Sequence, residues 1–165
     1  MSRKISPASI DIFAILSFGV PLFVYLLTLA PSVTFFDSGE FLTAVSSLGI
    51  PHSPGYPLFV NYAKPFTWLP LGSIAFRVNF ATAVSASLAC LGVYLLTMRL
   101  IPLIEAGGSP APRFLRRSAG LCAALAFAFT PRLWLQSNHD KPYPLLAFLS
   151  AVIFCLILAW REKTQ

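Results

Sequence analysis

The run Asp37-Ser38-Gly39-Glu40 sets two carboxylates within one helical turn of each other in an otherwise apolar stretch, with Phe35-Phe36 before it and Phe41-Leu42 after it. A carboxylate can take the proton from an attacking hydroxyl or line an ion pathway, and beside a membrane it is costly unless it is used. The same spacing has a structural reading. Asp37 as a helix N-cap with Glu40 at the third position is a capping box, and negative charge suits the first turn of a helix. The two readings are compatible, because a helix N-terminus would hold Asp37 rigid and aimed. Glu40 could orient Asp37 or ligate a cation. His52 lies in Ile50-Pro-His-Ser-Pro-Gly-Tyr-Pro57, where it could contact a ligand or bond a backbone carbonyl as a structural histidine. Arg77 opens a long apolar run and reads either as an anion-stabilising group or as a helix-end anchor. Asn79, inside that run, reads as a helix–helix hydrogen-bond contact. Two carboxylates and one histidine are too few for a metal site, so a divalent cation has no support beyond Glu40.

The elements that position these groups are set by composition. Of 165 residues, 56% are hydrophobic and only 11% charged, with a mean hydropathy of +0.73. A soluble domain carries about a quarter charged residues and exposes much of its surface, so lipid is the natural solvent for this chain. The net charge of +6 does not point to nucleic acid. The basic residues flank apolar runs, where they act as topology signals and headgroup contacts. Cys90, Cys122 and Cys155 each fall inside an apolar run. They show neither metal spacing nor a disulfide framework.

Four spans are expected, in an all-α membrane protein. Ile12 to Ala30 is uncharged and long enough to cross as a helix. Its Thr28-Leu29-Ala30-Pro31 end is a poor cleavage site, so it reads as an uncleaved first helix. The second span runs over about 78–98, bracketed by Arg77 and Arg99, and the fourth over about 143–160. The third, about 115–135, is weaker, since only 14 uncharged residues separate Arg117 from Arg132. Snorkelling arginines allow a crossing, and a re-entrant segment is the alternative. Arg3, Lys4, Arg99, Arg113, Arg116, Arg117, Arg161 and Lys163 fall on one side, and only Lys64, Arg77, Arg132 and Lys141 on the other. That split places both termini in the cytoplasm. Residues 101–114 are then a cytoplasmic linker containing Gly107-Gly108, and residues 31–76 a non-cytoplasmic first loop.

That loop is too long for a minimal connection and too apolar to be solvated. Leu42, Val45, Leu48, Leu58, Phe59, Phe66, Trp68 and Leu69 favour helices lying in the interface, at a depth that suits Trp68, Tyr56 and Tyr62. Pro51, Pro54 and Pro57 forbid a regular helix between them. A fixed turn is expected there, with Gly55 allowing a left-handed or close backbone approach.

Three ordered motifs carry a family resemblance: Leu29-Ala-Pro-Ser-Val-Thr-Phe-Phe-Asp-Ser-Gly-Glu-Phe-Leu-Thr-Ala44, Leu48-Gly-Ile-Pro-His-Ser-Pro-Gly-Tyr-Pro-Leu-Phe59, and Leu71-Gly-Ser-Ile-Ala-Phe-Arg-Val-Asn79. Together they resemble the transmembrane protein O-mannosyltransferase-like family of the GT-C glycosyltransferase superfamily, and less distinctly so through Trp134, Gln136 and Tyr143. The resemblance covers the N-terminal part of such a protein, which normally has many more helices. It implies transfer of a sugar, mannose by inheritance, from a polyprenyl-phosphate carrier to a hydroxyl acceptor on protein at the outer or lumenal face. Asp37 is then the base, with Glu40 beside it in the catalytic pair, where it could bind a sugar hydroxyl. His52, Tyr56 and Arg77 are the substrate-binding residues, Arg77 stabilising the departing phosphate. No further cofactor is implied. The chain departs from the family at Ser53, where a proline is usual, and at Asp140-Lys-Pro-Tyr143. There the family tends to carry an acid two positions before the tyrosine, and this chain has Lys141.

The resemblance implies a bacterial inner membrane or the endoplasmic reticulum, with membrane lipid, the carrier, a protein acceptor and further subunits or self-association as partners. Two other functions stay open. One is a non-catalytic relative that binds the carrier or partner subunits, favoured by the short chain and Lys141. The other is a small transporter or channel subunit, since membrane carboxylates also line ion paths.

Overall fold

The computed structural model describes residues 11–105 and 108–164. Arg3, Lys4 and Gly107, counted above, lie outside the described residues. Every regular element among them is helical: α1 (Ile12–Thr28), α2 (Ser38–Ser47), α3 (Pro57–Ala63), a 3-10 turn (Lys64–Trp68), α4 (Ile74–Ile104), α5 (Arg113–Ala128), α6 (Pro131–Ser137) and α7 (Tyr143–Thr164).

The axis of the fold is α4, against which α1, α5 and α7 all pack. Its buried face is built from small residues, among them Ala81, Ser85, Ala86, Ala89 and Gly92. Lipid tails are as apolar as leucine, so helices in a bilayer associate by close backbone approach over such residues. A Cβ added at Gly92 would lie 2.6 Å from the Ala151 Cβ on α7. Gly92→Leu is therefore expected to wedge α7 off α4 at a cost of about 1–3 kcal/mol. A thermal melt in detergent checks this, and an unchanged midpoint would contradict the packing.

Charged and polar contacts fix which helix ends meet. Asp11 caps α1 by accepting from the Phe13 amide, and it also accepts from the Tyr94 hydroxyl at 2.7 Å and pairs with Arg117. Arg99 pairs with Glu162, and Glu105 with Arg116. The start of α1, the end of α4, the start of α5 and the end of α7 thus lie at one end of the bundle. The loop helices and the α6–α7 connection lie at the other. Large apolar side chains on the outer faces, such as Phe23 and Leu27 of α1 and Leu156 and Trp160 of α7, are exposed, as a lipid-facing surface requires.

Several boundaries differ from those expected. The second helix starts at Ile74, where the Ser73 hydroxyl accepts from the Phe76 amide, and continues to Ile104 through Pro102. The helix thus contains the expected span of about 78–98 and runs past both Arg77 and Arg99. At 31 residues it is about 46 Å long, well beyond the hydrocarbon core. The linker is correspondingly shorter than 101–114, confined to the stretch between Ile104 and Arg113. The stretch expected as the third span is not one straight helix: α5 and α6 meet at a 68° bend, the geometry of a broken span or of a re-entrant segment. Thr130-Pro131 causes it. Pro131 cannot donate to the preceding turn, and the Thr130 hydroxyl accepts from the Leu133 amide to start a new helix. At the bend the Ala128 carbonyl accepts from the buried Tyr25 hydroxyl at 2.8 Å.

By length and composition, two helices (α4 and α7) can cross a membrane, and the bent α5–α6 pair makes a third if it crosses as one. The chain is thus a helical membrane protein. The first helix is apolar but only 17 residues long, ending at Thr28 and not at Ala30. It spans about 26 Å.

Candidate functional site

The acidic loop folds into a corner because its turns are set by particular residues. Phe36 adopts a left-handed φ of +64°, an unusual conformation for a non-glycine residue, and turns the chain into α2. Leu48, also left-handed, ends α2, and the Gly49 amide returns to the Ala44 carbonyl, satisfying a carbonyl at the helix terminus. Of the stretch Ile50 to Pro57 expected to be non-helical, all but Pro57 is so. It holds a cis Ser53–Pro54 bond, Gly55 at φ +89° and Tyr56 at +43°. Pro57 then opens α3, a position where its missing N–H costs nothing. Phe41, Val45, Phe59, Val60, Val78 and Leu145 form the buried cluster that docks α2 and α3 onto the starts of α4 and α7.

The expected capping box is not formed. Asp37 precedes α2, but its side chain makes no capping hydrogen bond. It instead meets Lys141, with Oδ2 3.3 Å from Nζ. The lysine side chain is 8% exposed and the aspartate 55%, so the cation is the buried partner. Its ammonium lies 5.5 Å from the centroid of the Phe41 ring, within reach of a cation–π attraction.

Next to Asp37, the Ser38 hydroxyl donates to Asp140 Oδ1 and accepts from the Thr34 amide. Asp140 is almost fully buried, and its Oδ2 has no partner among the described residues. Burial pushes its carboxyl up to about 6, against the opposing pull of the Ser38 hydroxyl and Lys141. Burial, and then Lys141, hold His139 below the usual histidine range.

Glu40 is not a cap partner either. It accepts from the backbone amide of His52, and its Oε2 lies 2.9 Å from His52 Nδ1. The histidine is thereby tied to a carboxylate and not to a backbone carbonyl. These two bonds hold the Glu40 carboxyl below the usual glutamate range. A depressed folded value stabilises the pair above the unfolded value of 4.5, and this contribution is lost as pH falls through the lower folded value. The proline-rich turn should accordingly loosen in acid, with faster hydrogen exchange at the His52 amide. Glu40→Gln should give the same fast exchange at neutral pH. Equal protection in the variant would contradict the tether.

Rings of His52, Tyr56 and Phe59 surround Phe41 at centroid distances of 5.2–5.7 Å. The fold therefore brings Asp37, Glu40, His52 and Tyr56 into one corner. Arg77 is elsewhere. Its guanidinium donates to three backbone carbonyls, Leu71 at 2.6 Å, Thr67 at 2.7 Å and Gly72 at 3.0 Å, clamping the chain that enters α4. Asn79 similarly donates to the Ala30 and Ser32 carbonyls, tying the start of the loop to α4 instead of bridging two helices. What spacing could not reveal is the pairing of Ser38 with Asp140 and of Asp37 with Lys141, across more than 100 residues.

Beside the corner lies an apolar groove of about 370 Å³, with Tyr56, Leu58 and Phe59 on one wall and Tyr143, Leu146 and Leu149 on the other. Among the described residues, no group of three or more His, Cys, Asp or Glu side chains converges as a metal site would require.

Residues 37–165 match the family described as Protein O-mannosyl-transferase TMEM260 N-terminal domain. The chain belongs to that family. The match begins at Asp37 and includes every residue of the corner. Among curated proteins, the chain is 32% identical to the mouse (Mus musculus) Protein O-mannosyl-transferase TMEM260 over 142 residues, covering 86% of this chain and 18% of that protein. It is 27% identical to the Dictyostelium discoideum protein of the same description over 136 residues, covering 81% and 15%. The chain thus covers less than a fifth of either relative's length. No solved structure matches it.

Proposed function

We propose that this chain forms the first helices and acidic corner of a membrane protein O-mannosyltransferase of GT-C type, which transfers mannose from a polyprenyl-phosphate carrier to a hydroxyl on protein. The observation that carries the reading is the family match to relatives named protein O-mannosyl-transferases. It is supported by an exposed carboxylate, Asp37, paired with Lys141, whose neighbour Pro142 lines an apolar groove. In this reading α1, α4, the α5–α6 pair and α7 are four crossings, both termini are cytoplasmic, and the corner faces the lumen or exterior.

Asp37 accepts the proton of the acceptor hydroxyl as its oxygen bonds to the anomeric carbon. The bond from that carbon to the carrier's phosphate oxygen breaks at the same time, and its electron pair leaves with the phosphate. Glu40 and His52 hold the turn that carries Tyr56 toward the groove. Arg77 clamps the loop through three backbone carbonyls, and the cation nearest the corner is Lys141.

Lys141 on Asp37 favours a second reading, in which the chain binds the carrier without transferring the sugar. Purified protein given polyprenyl-phosphate mannose and a serine- or threonine-bearing peptide separates the two. Mannosylated peptide, absent when the hydroxyl residues are replaced by alanine, is the expected product. Carrier retention without transfer would select the second reading.

A further inference from the structure

We propose that Lys141 is an exchange residue, paired with Asp37 in this structure and passing to the phosphate of an entering carrier lipid, which frees Asp37. The proposal rests on the transferase reading for the carrier's identity. The contacts carry the rest. The Lys141 ammonium lies 5.5 Å from the centroid of the Phe41 ring, and among the described residues its acceptor is Asp37 at 3.3 Å. That distance is long for a charge-assisted bond, which closes to about 2.7–2.9 Å. Asp37 is the more exposed partner and has no capping bond, so it is the group free to move.

The charges around the ammonium explain why exchange is required. Asp37 faces it from the start of α2, and Asp140 and His139 neighbour it in the α6–α7 connection. Glu40 is already held by His52. An anionic head brought to Lys141 while Asp37 stayed in place would meet two carboxylates for one cation. If Asp37 swings outward, the head takes its place. Arg77 is elsewhere, its guanidinium clamped to the Leu71, Thr67 and Gly72 carbonyls.

The groove supplies the other half of the ligand. Pro142, next to Lys141, and Tyr56, packed on Phe41, both line it. A cation beside an apolar groove fits an amphiphile with a phosphate head and a hydrocarbon tail.

Binding of farnesyl phosphate to the full chain in detergent tests this, with farnesol and inorganic phosphate as separate arms. Lys141→Met should weaken farnesyl phosphate about tenfold or more, the scale of a lost bond to a charged group. Lys141→Arg, which keeps the charge and controls for folding, should stay within about threefold by the same reasoning. Asp37→Asn should bind more tightly than wild type, because it releases the ammonium in advance. Weaker binding by Asp37→Asn, or none of the expected loss in Lys141→Met, would overturn the exchange while leaving the carrier reading intact. Wild type that binds no farnesyl phosphate would overturn the carrier reading and the exchange with it. Inorganic phosphate binding as tightly as the lipid would remove the groove from the account and overturn the proposal as stated.

Discussion

Asp37→Asn should lower mannose transfer by about 10²–10⁴-fold, the range for removing a general base, while moving unfolding stability by no more than about 1 kcal/mol. The second half follows from geometry. The Asp37 side chain makes no capping bond, and more than half of it is exposed. Its ion pair is solvated on the aspartate side only, and the asparagine oxygen still accepts, more weakly, from the buried Lys141 ammonium, so that cation is not stranded. Asparagine keeps the size and loses only the charge and the basicity. Initial transfer rates and denaturation midpoints, measured on the same preparations, check both halves. A large stability loss with transfer largely retained would instead return Asp37 to the role of a structural cap.

The second large effect is expected at Asp140, on stability. Burial raises its carboxyl from 3.8 to about 6. Between those values the folded chain holds a proton that the unfolded chain has released. Stability from this group is therefore full below the unfolded value and is lost as pH rises through the folded one. A difference of about two pH units corresponds to about 3 kcal/mol. Asp140→Asn removes the buried charge and keeps an acceptor for the Ser38 hydroxyl. It should stabilise the protein by about 1–3 kcal/mol near pH 7.5 and flatten the decline between pH 4 and 6. Unfolding in detergent across that range checks it. A variant that is less stable at pH 7.5, with the decline unchanged, would show that the carboxylate is worth more ionised than protonated.

Much of the architecture is written locally and can be read locally. Apolar runs mark α4 and α7, and the chain between Pro51 and Pro57 cannot be a regular helix because three prolines withdraw their donors. Gly55 is left-handed as the turn requires. Helix ends were less legible. The start of α4 depends on the Ser73 hydroxyl, and Arg77 looks like a boundary until its guanidinium is seen folded back onto Thr67, Leu71 and Gly72. The break between α5 and α6 was foreshadowed by the short uncharged stretch before Arg132, and Thr130-Pro131 decides it.

The corner was only half visible. Asp37, Glu40, His52 and Tyr56 lie within 20 residues of one another, and their residue types pointed to them. The capping box was a fair reading of the spacing, but a carboxylate goes to the strongest partner within reach. For Asp37 that is a lysine, and for Glu40 the amide and ring of His52. Long-range partners leave no periodic trace. Lys141 looked like the loss of an acidic group, and its structural meaning emerges only when α7 brings it against Phe41.

The central claim is that Asp37 takes the acceptor's proton in a sugar transfer to protein. It is tested most directly by measuring mannose transfer from polyprenyl-phosphate mannose to a hydroxyl-bearing peptide, with wild type beside Asp37→Asn at equal carrier occupancy. The account predicts transfer by wild type and a loss of at least about 100-fold in the variant. Equal rates in the two proteins would contradict it.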